Sequence, residues 1–301
     1  MSAPRDWAEL LRLSALFTVP GDALAGAAAS GLRPGARTAL AAGASLCLYE
    51  AGMALNDWAD REEDAAERPH RPLPSGRITP AQALAAASGL TAAGVALALA
   101  AGRPAALAAT ALASTVWAYD LRLKHTAAGP AAMAAARGLD LLLGAVATAG
   151  SRTSSGSSAP AVRRALLPAA VLGAHTYAVT AVSRTETRGG APGTALAALG
   201  TTATIGALAG ARRGPLGPRS PRDLARTVLA GAYVATAARP FLHAALNPSP
   251  PLTQQAVGGG IRAMIPLQAA LTARSGPLAG TALLAGLAPV ARRVARKVSP
   301  T

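Results

Sequence analysis

Charged and aromatic side chains are both in short supply: 14% of the 301 residues are charged and 3% are aromatic, against 51% hydrophobic and a mean hydropathy of +0.32. A soluble domain of that length needs more polar surface, so the composition points to an integral membrane protein. The single cysteine, Cys47, sits inside an apolar run and excludes a disulfide or a cysteine-based metal centre. Acidic residues number only 14, which leaves a formal charge of +15. The arginines are nonetheless scattered over short connections, with no stripe and no interleaved aromatics. Nucleic acid is therefore not an expected partner, and anionic lipid headgroups or phosphorylated substrates are. Lysine is nearly missing (Lys124 and Lys297), which reads as genomic base bias before chemistry. His70, His125 and His243 show no metal-ligand spacing, His175 reads as a hydrogen-bonded helix residue rather than a base, and the chain has no defensible Ser/His/Asp set, P-loop or GxGxxG element. Two Phe, four Tyr and three Trp leave little with which to stack an aromatic acceptor ring.

Alanine and glycine dominate what is there, so individual spans are weakly hydrophobic and rely on close packing of small residues. Apolar runs near 8–30, 38–57, 80–101, 104–119, 129–150, 163–183, 192–210, 224–245, 255–273 and 276–292 predict nine or ten helices in an all-α, polytopic transmembrane bundle. Pro and Gly clusters separate the runs. Residues 150–160, rich in Gly and Ser, read as a flexible exposed loop within one domain spanning 1–301. Residues 1–12 mix Arg5, Asp6, Glu9 and Arg12, and the first apolar run continues into Pro20 and Asp22, so the first helix is expected to stay as an anchor rather than leave as a signal peptide. Arg137 and Asp140 stand at i, i+3 inside the fifth run and are expected to neutralise each other. Basic residues divide too evenly between the two membrane sides to set the orientation.

Six of the fourteen acidic residues are concentrated in residues 56–79, which read N-D-W-A-D-R-E-E-D-A-A-E-R-P-H-R-P-L-P-S-G-R-I-T. On a continuous helix Asp60 and Asp64 lie about 60° and about 20° from Asp57, so the three carboxylates share a face while Glu62 and Glu63 point elsewhere. Converging carboxylates repel unless a cation sits among them, and hard oxygen ligands one turn apart suit Mg²⁺ with substrate phosphates. Pro69, Pro72, Pro74 and Gly76 end the helix in a stiff loop that brings Arg68, Arg71 and Arg77 near the acidic face, where guanidinium forks suit phosphate. Residues 119–125, Y-D-L-R-L-K-H, fall on the same membrane side by helix counting and offer Arg122 and Lys124 to phosphate.

The pattern N-D-x-x-D-x-x-x-D followed by R-P-x-R-P-L-P-S-G-R-I resembles the first signature of the UbiA-type intramembrane prenyltransferases. That resemblance implies a helical bundle around a central cavity, with a polyprenyl diphosphate held by its head at an Mg²⁺ site and its prenyl group passed to a small acceptor within the membrane. Asp57, Asp60 and Asp64 would be the catalytic, metal-binding carboxylates. Asn56 would support them, and Arg68, Arg71 and Tyr119 with Arg122 or Lys124 would hold the diphosphate. The family's acidic loop would face the cytoplasm, at the plasma membrane. The chain departs from the family pattern at residues 183–188, S-R-T-E-T-R, where a second aspartate-rich motif is expected. Either Glu186 holds a second metal by itself, or Arg184 and Arg188 bind diphosphate directly. That departure feeds a second reading, a transporter or lipid-phosphate-binding scaffold that kept the fold without the chemistry.

Overall fold

The computed structural model describes residues 3–12, 18–150, 159–187, 189–211, 220–276 and 278–286. The described residues are helical throughout their regular elements. In chain order these are α1 (Pro4–Leu10), α2 (Val19–Ser30), α3 (Ala36–Ala59), α4 (Arg61–Glu67), α5 (Pro80–Ala101), α6 (Arg103–Ala118), a π-turn (Tyr119–Leu123), α7 (Gly129–Ala149), α8 (Ala159–Ser183), α9 (Pro192–Gly210), α10 (Pro221–Leu246) and α11 (Pro250–Ser275). Residues 278–286 are helical as well. Residues 151–158 of the loop expected at 150–160, and residue 277 and residues 287–292 of the last apolar run, lie outside the described residues.

Proline marks where many of these helices begin. It occupies the first helical position of α5, α9, α10 and α11, where its missing N–H would have no intrahelical partner anyway. Thr79 caps α5 by accepting from the Gln82 amide while the Gln82 side chain accepts from Thr79 N–H, and Ser220 with Asp223 does the same for α10. Pro20 lies in the first turn of α2 and splits the first apolar run. One helix was expected over 8–30. The structure places the short α1 before residue 11 and starts α2 at Val19.

α3, α5, α7, α8 and α9 are long and apolar enough to cross a membrane. α6 has 16 residues, and α10 and α11 carry more polar side chains. The protein is a multi-pass integral membrane protein. α7 packs between α2 and α8, α3 packs on α5, and α10 packs on α9 and α11. One apolar core joins α2 and α7 through α11, a second joins α3, α5, α6 and α7, and a third gathers α1, α3, α5 and the proline loop. The third core fixes the site, because Leu73 and Ile78 of the proline loop are buried with Leu10 of α1 and Leu55 of α3.

Arg137 takes its direct ion pair from α2 rather than from Asp140. Its guanidinium reaches Asp22 of α2 at 2.5 Å, and Asp140 accepts instead from Ser45 of α3 at 2.7 Å. The close crossing of α2 and α7 allows this. A Cβ on Gly144 would meet the Ala23 carbonyl at 2.3 Å, and one on Gly26 would meet the Leu141 carbonyl at 2.0 Å. His175 is a core residue, fully buried between the Tyr233 hydroxyl and the Gly260 carbonyl at 3.0 and 2.9 Å.

Candidate functional site

α3 delivers Asn56 and Asp57 at its last turn and stops at Ala59, with Asp60 as a backbone corner before α4. Arg61 locks that corner, donating to the Trp58 carbonyl at 3.0 Å while its guanidinium stacks 4.9 Å from the Trp58 ring centroid. The break divides the three aspartates. Asp57 and Asp64 are both buried and meet at Arg71, whose Nη1 lies 2.7 Å from Asp64 and 3.6 Å from Asp57. Asp60 turns the other way, against the Lys124 ammonium, with His125 Nε2 at 3.9 Å. A phase argument along one continuous helix could not see this separation.

Further cations complete the network. Arg68 lies 3.3 Å from Asp64, and Arg12 donates to Asp57 at 3.0 Å. Arg12 holds a positive φ of 48°, an uncommon conformation for a side-chain-bearing residue and one that recurs at functional sites. Arg77, expected beside the acidic face, instead pairs with Asp6 and Glu9 of α1 at 2.8 Å each. Those contacts hold the Asp6 carboxyl below its ordinary range and raise the guanidinium further. Arg77 therefore ties the proline loop to α1 rather than to the aspartates.

The π-turn supplies the opposite wall. Asn56 donates to Asp120 at 3.1 Å, and burial pushes the Asp120 carboxyl up to about 6, against the pull of that hydrogen bond and of Lys124. Lys124, not Arg122, reaches Asp60, while Arg122 is exposed at the rim. Tyr119 is half-buried at the start of the turn. A cavity of about 340 Å³ opens between α3, α4 and this turn, lined by Trp58, Asp60, Glu63, Asp120, Arg122 and Lys124 among others. From the end of α8, Arg184 donates to the Thr126 carbonyl in the loop after the π-turn. Glu186 is half-buried; burial raises its carboxyl and the nearby Arg68 opposes that shift. Arg188 lies outside the described residues.

One donor set has the spacing to hold a metal. Asp60, Glu63 and His125 each offer one ligand atom, and these atoms lie within 4.8 Å of one another on the open side of the cavity. Two carboxylates on a solvated face fit a hydrated Mg²⁺ that keeps waters and takes substrate phosphates. Sequence reasoning set Glu63 aside because it assumed an unbroken helix, and His125 because its partners Asp60 and Glu63 stand more than sixty residues away in the chain. It also missed Arg12, for which only its charge inside the start of the first apolar run gave a signal, and Asp120, whose signal was the pairing need of Asn56.

Residues 14–212 match the model of the UbiA prenyltransferase family. The chain is 37% identical over 114 residues to a digeranylgeranylglyceryl phosphate synthase of Methanopyrus kandleri, covering 38% of this chain and 40% of that protein. It is 34% identical over 146 residues to another of that name from Ignicoccus hospitalis, covering 48% of each. The matched stretch thus spans less than half the length of these relatives. Among solved structures, a UbiA homologue from Aeropyrum pernix superposes with a TM-score of 0.65 at 21% identity, covering 85% of this chain and 96% of that one. A UbiA homologue from Archaeoglobus fulgidus, solved with DMAPP and Mg²⁺, superposes with a TM-score of 0.57 at 17% identity, covering 86% of this chain and 99% of that one. With a family model matched over most of the chain and the same fold in these structures, the chain belongs to the UbiA prenyltransferase family.

Proposed function

We propose that this protein transfers a prenyl group from a polyprenyl diphosphate to an acceptor within the membrane, with Mg²⁺ at the acidic site. The observation that carries this reading is the pairing at the end of α3: four motif-side cations, Arg12, Arg68, Arg71 and Lys124, each sit on a carboxylate that a metal and diphosphate would otherwise engage. Asp57, Asp60 and Asp64 would hold metal, with Glu63 and His125 beside Asp60 and with Glu186 on the α8 side. Mg²⁺, when bound, supplies charge neutralisation for the departing diphosphate. Arg71 and Lys124 keep the buried carboxylates compensated in the free protein and are positioned to take phosphate oxygens when the diphosphate arrives. Asn56, held by Asp120, keeps the α3 terminus facing the π-turn. Tyr119, Arg122, Arg184 and Arg188 would complete the phosphate-binding rim. The names of the related synthases make geranylgeranyl diphosphate the first donor to try.

The test is turnover. Membranes containing the protein, given labelled prenyl diphosphate and candidate acceptors, should release pyrophosphate in a Mg²⁺-dependent manner. Asp57→Asn and Asp60→Asn should each lower turnover by about 10²-fold or more, the scale of lost electrostatic stabilisation at a reacting centre. Full activity in both variants at limiting Mg²⁺ would remove these residues from the metal site. Uptake of diphosphate without pyrophosphate release would favour the transporter reading.

A further inference from the structure

Glu50 lies on α3 seven residues before Asp57, so the two share a helix face, offset by about 20° and separated by about 10 Å along the axis. It is 7% exposed, and neither carboxylate oxygen has a hydrogen-bond partner. Every other buried carboxylate among the described residues is engaged: Asp6 by Arg77, Asp22 by Arg137, Asp57 by Arg12, Asp64 by Arg71, Asp120 by Asn56 and Asp140 by Ser45. A carboxylate is costly to bury without a donor, and each of those six has at least one, a cation, a hydroxyl or an amide. Cys47 and Met53, one turn to either side of Glu50 on α3, are only half-buried.

We infer that Glu50 is the acceptor-recognising residue, binding a head group that donates a hydrogen bond and carries no negative charge: a hydroxyl or an amine. This rests on the prenyl-transfer reading and names its acceptor class. Lying below the diphosphate site on the same face, Glu50 meets a second substrate approaching from the membrane interior. No cation accompanies it among the described ion pairs, so nothing there compensates an anionic head, whereas a hydroxyl or ammonium supplies the missing donor.

Three probes with one tail separate the possibilities: 1-O-octadecylglycerol, its 3-amino analogue and its 3-phosphate, titrated in detergent against wild type and Glu50→Gln. The wild type should bind the neutral and amino probes at least tenfold more tightly than the phosphate. Glu50→Gln should reduce that preference to within about twofold for the neutral probe and abolish it for the amine. A wild type that binds the phosphate as tightly as the other two, or a Glu50→Gln protein that keeps the full preference, overturns the inference. Tighter binding of the amine than of the alcohol assigns an amine acceptor, and the reverse assigns a hydroxyl. Thermal unfolding guards against a folding defect: relieving an unpartnered buried carboxylate should leave Glu50→Gln at least as stable as wild type, and a marked loss of Tm points to a structural partner and overturns the inference. Calorimetric titration of wild type with Mg²⁺ and geranyl diphosphate reports separately on the donor site. Its failure removes the prenyl-transfer reading while the probe titration still reports on Glu50.

Discussion

Arg71 carries the most at the scale of single residues. It bridges two buried carboxylates that α3 and α4 bring together, so its removal leaves Asp57 with Arg12 and Asp64 with Arg68. Arg71→Ala should weaken prenyl diphosphate binding about tenfold or more, the scale of a lost charge-assisted contact, and alter acceptor affinity less. Lysine should rescue only part of that loss, because an ammonium cannot span both carboxylates and a phosphate as a fork does. The check is the diphosphate KM of the three proteins, and equal values would reassign Arg71 to loop structure. Asp120 gives a second prediction. Its folded carboxyl titrates near 6 against an ordinary value of 3.8, so the folded state holds the proton more tightly. The associated stability is therefore complete below about pH 3.8 and is lost as pH rises through about 6. Asp120→Asn should flatten the dependence of Tm on pH between about 4 and 7, measured by thermal unfolding in one detergent across that range. An unchanged slope would show that another group titrates there.

Two features act as whole elements. The corner at Asp60 converts one acidic helix into two arms, which lets Asp57 and Asp64 face the proline loop while Asp60 faces the π-turn. The crossing of α2 on α7 is set by reciprocal backbone contacts at Gly26 and Gly144, and no side chain fits at either. That proximity is what puts Asp22 within reach of Arg137. Gly144→Ala should push the helices apart and lower stability by about 1–3 kcal/mol, the usual cost of overpacking, with a visible fall in Tm. Gly193, which has open space around it, is the control: Gly193→Ala should leave Tm nearly unchanged. If both variants unfolded alike, the crossing would not be the constraint described.

For the molecule as a whole, some of the 29 basic side chains are used inside it, since arginines neutralise carboxylates at the end of α3 and again between α2 and α7, and the formal excess of +15 lies outside those pairs. A ligand that binds only the folded state raises its stability, by about 2.7 kcal/mol at a hundredfold excess over Kd. Mg²⁺ together with a prenyl diphosphate should therefore raise Tm, and neither alone should do so to the same extent. Calorimetry should find one tight Mg²⁺ per protein, because the α8 side offers Glu186 beside cations rather than a second aspartate cluster. Two equivalent tight ions would contradict this, and Glu186→Gln should be milder than Asp57→Asn.

Composition and apolar runs already determined a helical membrane bundle, because the hydropathy of a span and the placement of proline at helix starts are local properties of the chain. The crowding of acids and arginines over residues 56–79 was equally legible as the candidate site. What the tertiary structure decided is how those charges are shared. Which cation meets which carboxylate depends on the break at Asp60, on the burial of Leu73 and Ile78 under α1, and on Arg12 and Asp120 arriving from elements distant in the chain. Arg137 took Asp22 over its sequence neighbour Asp140 for the same reason. In a low-dielectric interior, a charge is paired by whichever opposite group the packing brings within about 3 Å, and helical spacing alone cannot name that group.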